Sequence, residues 1–175
     1  CAIPSLKILE LTNNPTKEIR GVEKFPSLEV LNLRGNDIKT IQGLENNKHL
    51  KELQLYNNHI TKIEGLAPLA DLVSLNLSDN DISEIEGLES LSNLKGLNLS
   101  NTKIRSTKGL EHLKSLELLV LNDLQMGDSE LQYIPFHCLK KLHLRTNQLK
   151  KVNNQMINLE EIHLVNNQIE SIPLE

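Results

Sequence analysis

The residues nearest to a ligand-binding chemistry are His143 and His163. Neutral imidazole nitrogens ligate zinc well, and Glu161 and Cys138 are the neighbouring groups able to complete a site. No paired zinc-ligand spacing accompanies them, so a coincidence of surface histidines is the favoured reading; no metal and no cofactor is expected. Lys140, Lys141, Arg145, Lys150 and Lys151 form a basic cluster. Such a cluster suits an acidic group or a solvated face, and it lacks the interleaved aromatics that stack on single-stranded bases. There is no P-loop, no Gly-rich dinucleotide motif and no nucleophile elbow, and the chain is not expected to be an enzyme. Arg34 and Tyr56 instead have the chemistry of anchors at a protein interface.

The elements that position these side chains follow from an internal repeat. Leu6, Leu28, Leu50, Leu72, Leu94 and Leu116 recur every 22 residues, and each opens L-x-x-L-x-L. Two more units start at Leu139 and Leu159, after spacings of 23 and 20 residues. Leucine occupies 23 of the 24 apolar positions of these eight units and Ile162 the other, so one aliphatic shape fills the whole core. Three residues past the third leucine stands Asn14, Asn36, Asn58, Asn80, Asn147 or Asn167. A side-chain amide both donates and accepts, so stacked Asn residues can satisfy backbone groups inside a turn. Thr102 can do part of this work in the fifth unit, and Leu124 cannot in the sixth. The second half of the unit reads I-x-x-I-x-G-L, as in Ile38 to Leu44, with Thr107 in place of the second Ile in its fourth copy. Gly21, Gly43, Gly65, Gly87 and Gly109 share one phase, as a turn with positive φ or a close backbone approach requires.

The repeat resembles that of leucine-rich-repeat proteins, and the resemblance implies an α/β architecture: a right-handed solenoid bent into an arc or horseshoe. One short parallel strand per repeat lines the concave face, and 3₁₀ or extended turns form the convex face. Eight strands at ~4.8 Å spacing extend roughly 34 Å. Residues 1–175 read as one domain with repeats starting near 6, 28, 50, 72, 94, 116, 139 and 159. The chain does not begin with Met, and Ile3-Pro4-Ser5-Leu6 matches Phe25-Pro26-Ser27-Leu28 one period later, so we expect an array cut from something longer.

Strand alternation then sends the residues flanking the second and third leucines to solvent. The candidate partner-binding residues on this concave face are Ile8, Glu10, Val30, Asn32, Arg34, Gln54, Tyr56, Asn76, Asn98, Leu118, Val120, His143, Arg145 and His163. They divide into an Arg34–Tyr56 patch with Ile8 and Val30, a small and nearly uncharged middle that includes Ser78 and Ser100, and a Val120–His143–Arg145 patch. Asn76-Leu77-Ser78 and Asn98-Leu99-Ser100 fit the glycosylation sequon, and glycans there would cover the middle of the face. The irregular segment from Met126 to Phe136 replaces the convex turn of the sixth unit, and its Asp-Ser-Glu-Leu start predicts a short helix capped by Asp128 or Ser129.

With 19 basic and 23 acidic residues the net charge is −4, which argues against nucleic acid and against an anionic membrane surface. No apolar run approaches the roughly 18–20 residues of a membrane-crossing helix. Cys1 and Cys138 are too far apart to form a clustered disulfide cap, and no signal peptide is visible, so a reducing cytoplasmic location is expected.

Stretches such as Ile63-Glu64-Gly65-Leu66 and Ile85-Glu86-Gly87-Leu88 closely resemble the 22-residue, SDS22-like class of leucine-rich repeats. Bacterial internalins share that repeat length and much of the pattern. The resemblance implies a scaffold that binds a protein partner through its concave face. Two alternatives come with it: a regulatory subunit of a protein phosphatase 1-like enzyme, and an internalin-like bacterial surface adhesin. The first and last strands would be unpaired edges, which makes an edge-mediated homodimer a further expectation.

Overall fold

A computed structural model describes residues 3–152 and 154–172. Cys1 lies outside the described residues. The core of the fold is one eight-stranded parallel sheet in sequential order: β1 (Ile8–Glu10), β2 (Val30–Asn32), β3 (Glu52–Gln54), β4 (Ser74–Asn76), β5 (Gly96–Asn98), β6 (Leu118–Val120), β7 (Lys141–His143) and β8 (Glu161–His163). Each strand centres on the second leucine of its repeat or, in β8, on Ile162. Strands β2 to β6 show the alternation that a single buried face demands, with the central residue buried and its two neighbours half-buried. The register is that of the sequence repeat: Leu9 pairs with Leu31, Leu31 with Leu53, and so on to Leu142 with Ile162.

Between strands the chain returns through turns and short 3₁₀ helices, and the apolar residues of both halves meet in one continuous core. The expectation that every repeat leucine is buried fails in the outermost strands. Leu11 is 38% and Ile162 36% exposed, and Leu6, Leu9, Leu159 and Leu164 are only partly buried. In a solenoid each repeat is covered by its neighbours, and β1 and β8 each have one neighbour in the sheet.

The Asn column performs the bonding its position anticipates. Asn58 donates through Nδ2 to the carbonyls of Leu55 (2.9 Å) and of Leu33 in the preceding repeat (3.0 Å), while its Oδ1 accepts from Ile38 N–H (3.0 Å). Asn36 and Asn80 repeat this pattern, each bonded to its own strand and to the repeat before. Thr102 makes one bond of this kind, Oγ1 to the Leu99 carbonyl at 2.9 Å.

Immediately before this column runs another: Asn13, Gly35, Asn57, Asp79, Asn101, Asp123, Thr146 and Asn166 all have φ between +51° and +67°. Asn, Asp and Gly tolerate the left-handed region best, and they fill every place but one. The convex glycines have the positive φ expected of them, and Gly43, Gly65, Gly87 and Gly109 the close backbone approach as well. Gly43 has φ +77°, and a Cβ there would lie 2.6 Å from the Ile19 carbonyl oxygen of the repeat before. Gly21 has φ +82° with open space around it, so only the backbone angle calls for glycine there.

The irregular segment contains a 3₁₀ helix, Asp128–Leu131. Its N-cap is Gly127, ahead of both Asp128 and Ser129, where the sequence predicts the cap. Glu130 takes over the capping through its carboxylate, which accepts the Gly127 N–H at 2.8 Å. Asp128 is thereby free to accept from the backbone N–H groups of Lys150 (3.0 Å) and Lys151 (3.3 Å) in the next repeat.

Candidate protein-interaction face

The strand registers place the predicted concave residues in the expected columns. Ile8, Val30, Glu52, Ser74, Gly96, Leu118, Lys141 and Glu161 run down one side of the buried leucines. Glu10, Asn32, Gln54, Asn76, Asn98, Val120, His143 and His163 run down the other. Arg34, Tyr56 and Arg145 stand two residues beyond the central residue's follower in their own repeats, just past the strand ends.

At the amino-terminal end of this face the Arg34 guanidinium sits 5.0 Å from the centre of the Tyr56 ring. Arg34 is exposed and Tyr56 half-buried, so the cation–π contact holds an aromatic and a charge in a fixed arrangement at the surface. On the first two strands Ile8, 59% exposed, pairs with half-buried Val30. Glu10 is exposed at the edge strand.

The middle of the face is less available than its sequence implies. Ser78 and Ser100, expected at the surface, are buried. Ser78 donates through Oγ to Asn76 Oδ1 at 2.8 Å, and Ser100 Oγ accepts from Asn122 N–H at 3.0 Å. The Asn side chains of the central column also turn back on their own backbone. Oδ1 of Asn32, Asn76 and Asn98 accepts the N–H two residues on, from Arg34 (3.2 Å), Ser78 (3.1 Å) and Ser100 (3.0 Å). These bonds close Asx turns that end the strands. Both sequon asparagines are thus engaged in holding the turn. Gln54 bonds Glu52 across its own strand (3.0 Å).

At the carboxy-terminal end Leu118 and Val120 are half-buried and adjoin β7. There the structure brings together His143, His163 and Glu161, the last of which the reading of the face leaves out. The two imidazole rings stack with centres 4.3 Å apart and planes 21° from parallel. Glu161 Oε1 lies 3.2 Å from His143 Nε2 and 2.9 Å from His163 Nε2. Its other oxygen pairs with Lys141 Nζ at 2.8 Å. Hydrogen bonds from Lys141 and then His143 hold the Glu161 carboxyl down at about 2. Arg145 Nη2 bonds His163 Nδ1. Strand alternation, which puts Glu161 and His163 on one face two residues apart, is the signal that finds this glutamate.

Cys138 stands apart from that cluster. Its thiol is bonded to the carbonyls of Pro135 (3.2 Å) and Leu113 (3.5 Å), and burial pushes its pKa up. Two members of the basic cluster are ion-paired: Lys140 bonds Glu117 at 2.9 Å and Lys141 bonds Glu161 at 2.8 Å.

A parallel solenoid of this strand-and-turn unit, stitched by an Asn column, defines the class of leucine-rich-repeat proteins. The chain belongs to that family: a family model described as leucine-rich repeats in two copies matches residues 4–46, 26–68 and 70–112, more than half of the chain. None of the curated protein sequences matches it significantly. Among solved structures it is similar to internalin C2 of Listeria monocytogenes, with 27% identity and a TM-score of 0.83 over 94% of this chain and 73% of that one. A leucine-rich-repeat protein of Leptospira interrogans is 28% identical with a TM-score of 0.83, over 97% of this chain and 45% of that one. Internalin F of Listeria monocytogenes is 27% identical with a TM-score of 0.71, over 95% of this chain and 56% of that one.

Proposed function

We propose that the chain is a protein-binding scaffold that holds its partner on the concave strand face, with Arg34 and Tyr56 as the principal anchor. The family and the internalin-like neighbours support the general role of a protein-interaction scaffold. The observation that carries the finer reading is the Arg34–Tyr56 contact, on a face that also exposes Ile8. An aromatic and an arginine held against each other lose little freedom when a partner covers them. The middle of the face contributes shape, because Asn32, Asn76 and Asn98 already spend their acceptor oxygens on the backbone. Affinity capture from the source organism, followed by titration of the partner so identified, tests this. Replacing both Arg34 and Tyr56 by Ala weakens binding at least tenfold, as loss of about 1.4 kcal/mol or more of hot-spot energy requires. Equal affinity in the double variant, with loss on changing the convex Lys62 and Glu64, refutes the concave reading.

A second reading is favoured by the likeness to internalin C2. It takes the chain as part of a bacterial surface protein, against the cytoplasmic location proposed from its cysteines. Protease treatment of intact source cells separates them: a surface protein is cleaved, and a cytoplasmic one survives until lysis.

A further inference from the structure

We propose that His143, Glu161 and His163 form a binding site for a divalent transition-metal ion of the zinc type. The argument begins with the register. His143 on β7 pairs directly with His163 on β8, and Glu161 is two residues earlier on β8, so three ligand-bearing side chains leave the same face of two hydrogen-bonded strands. Their ligand atoms all lie within 4.8 Å of one another. Tetrahedral ligands about 2.0–2.1 Å from a zinc ion are roughly 3.3 Å apart. The separations from Glu161 Oε1 to the two Nε2 atoms, 3.2 and 2.9 Å, are already close to that edge.

The surroundings orient the set further. Lys141 holds Oε2 of Glu161, which leaves Oε1 alone facing the imidazoles. A ligating carboxylate fixed through its second oxygen is the usual outer-shell arrangement. Two histidines and one carboxylate leave a fourth position open, and the half-buried side chains give an ion access from the concave face.

One neighbour opposes binding. Arg145 can only donate, so its bond to Nδ1 of His163 requires the proton of that ring to sit on Nε2, from which it is donated to Glu161. Metal on Nε2 moves that proton to Nδ1, and Arg145, which is exposed, must swing aside. Removing Arg145 therefore strengthens the site.

The test is calorimetric titration of the chelator-treated chain with Zn²⁺ alone. One ion binds per chain, and binding weakens on acidification as protons compete for the imidazoles. His143→Gln and His163→Gln each lower the affinity at least about tenfold, since loss of a direct ligand costs no less than loss of an outer-shell partner. Cys138→Ser leaves it unchanged, and Arg145→Gln raises it. Because His143, His163 and Cys138 are half-buried, thermal unfolding without metal is the check on folding; Zn²⁺ raises the melting temperature of the parent chain but not of either histidine variant. Absence of one-to-one binding, or equal affinity in the histidine variants, overturns the proposal, as does loss of binding in the Cys138 variant.

Discussion

The third and fourth repeats and the sixth solve the same problem with opposite materials. In the former, Asn58 and Asn80 are buried amides that tie each strand end to the repeat before it. In the sixth the equivalent residue is Leu124, fully buried and unable to bond. Its own backbone is satisfied from elsewhere: its N–H donates to Asn147 Oδ1 (3.3 Å) and its carbonyl accepts from Arg105 Nη1 (2.8 Å). The convex side departs at the same place. Thr107, buried where other repeats have Ile, bonds through Oγ1 to the Glu130 carbonyl and accepts from Tyr133 N–H (3.3 Å). A break in the repeat is thus a matched set of departures on neighbouring turns. The carbonyls that an amide at this place would hold are bonded by other residues, Leu121 by Asn147 (2.8 Å) and Leu99 by Thr102 (2.9 Å), so apolar filling replaces the ladder here without orphaning either carbonyl.

The largest effect that would break this contrast is at Asn58. Asn58→Ala orphans the buried N–H of Ile38 and takes one of two amide donors from each of the Leu33 and Leu55 carbonyls, which keep Asn36 and Asn80. An unsatisfied buried group costs about 1–3 kcal/mol and each lost bond about 1, so a loss of about 3 kcal/mol is expected, read as a drop in the urea midpoint. Thr102→Val removes a single bond at the equivalent position and costs about 1 kcal/mol. Similar losses in the two variants would mean that the amide column is packing material rather than a hydrogen-bonded spine.

Thr107→Val probes the sixth-repeat splice with an intermediate effect. The shape is kept while Tyr133 N–H loses its acceptor and the Glu130 carbonyl loses one donor, the Thr107 N–H at 3.2 Å remaining. About 2 kcal/mol of destabilisation is expected. Hydrogen exchange should accelerate first around the 3₁₀ helix Asp128–Leu131, since the variant loosens that segment more than the strands. Uniform acceleration over the whole chain would show that the splice is not a local device.

The fold was legible because a 22-residue period leaves each leucine one environment, and strand pairing follows from the period. Asn36, Asn58 and Asn80 were legible for the same reason. The positive-φ column from Asn13 to Asn166 is equally visible in the sequence, as a run of Asn, Asp and Gly broken only by Thr146, and turn chemistry explains it. The Thr107–Glu130 bond was not legible, because it depends on how an irregular loop lies against the preceding turn. For the site, column positions followed from alternation, whereas the burial of Ser78 and Ser100 did not: their exposure depends on how tightly the strand ends turn. The sequence makes Glu161 a neighbour of the histidines, whereas its approach to both rings depends on side-chain packing between β7 and β8.

The smallest effect belongs to another column that the spacing exposes, the residue after each opening leucine. Lys7, Glu29 and Lys51 alternate in charge on adjacent repeats, with Glu29 bonded to Lys7 at 2.9 Å and to Lys51 at 2.8 Å. Lys95, Glu117 and Lys140 do the same at 3.2 and 2.9 Å. Hydrogen bonds from Lys51 and Lys7 hold the Glu29 carboxyl at about 2 against an ordinary 4.5, and Lys140 and Lys95 lower Glu117 in the same way. A carboxyl depressed on folding contributes stability above its unfolded pKa and loses it as pH falls through the folded value. The stability gap between the parent chain and Glu29→Gln is therefore widest above 4.5 and closes on acidification toward 2. These pairs are solvent-exposed, so the gap is small at any pH and shrinks as salt approaches about 1 M. A gap that persists in high salt, or that widens in acid, would mean Glu29 acts through packing, and the charged rows would then differ from the Asn column only in where they sit.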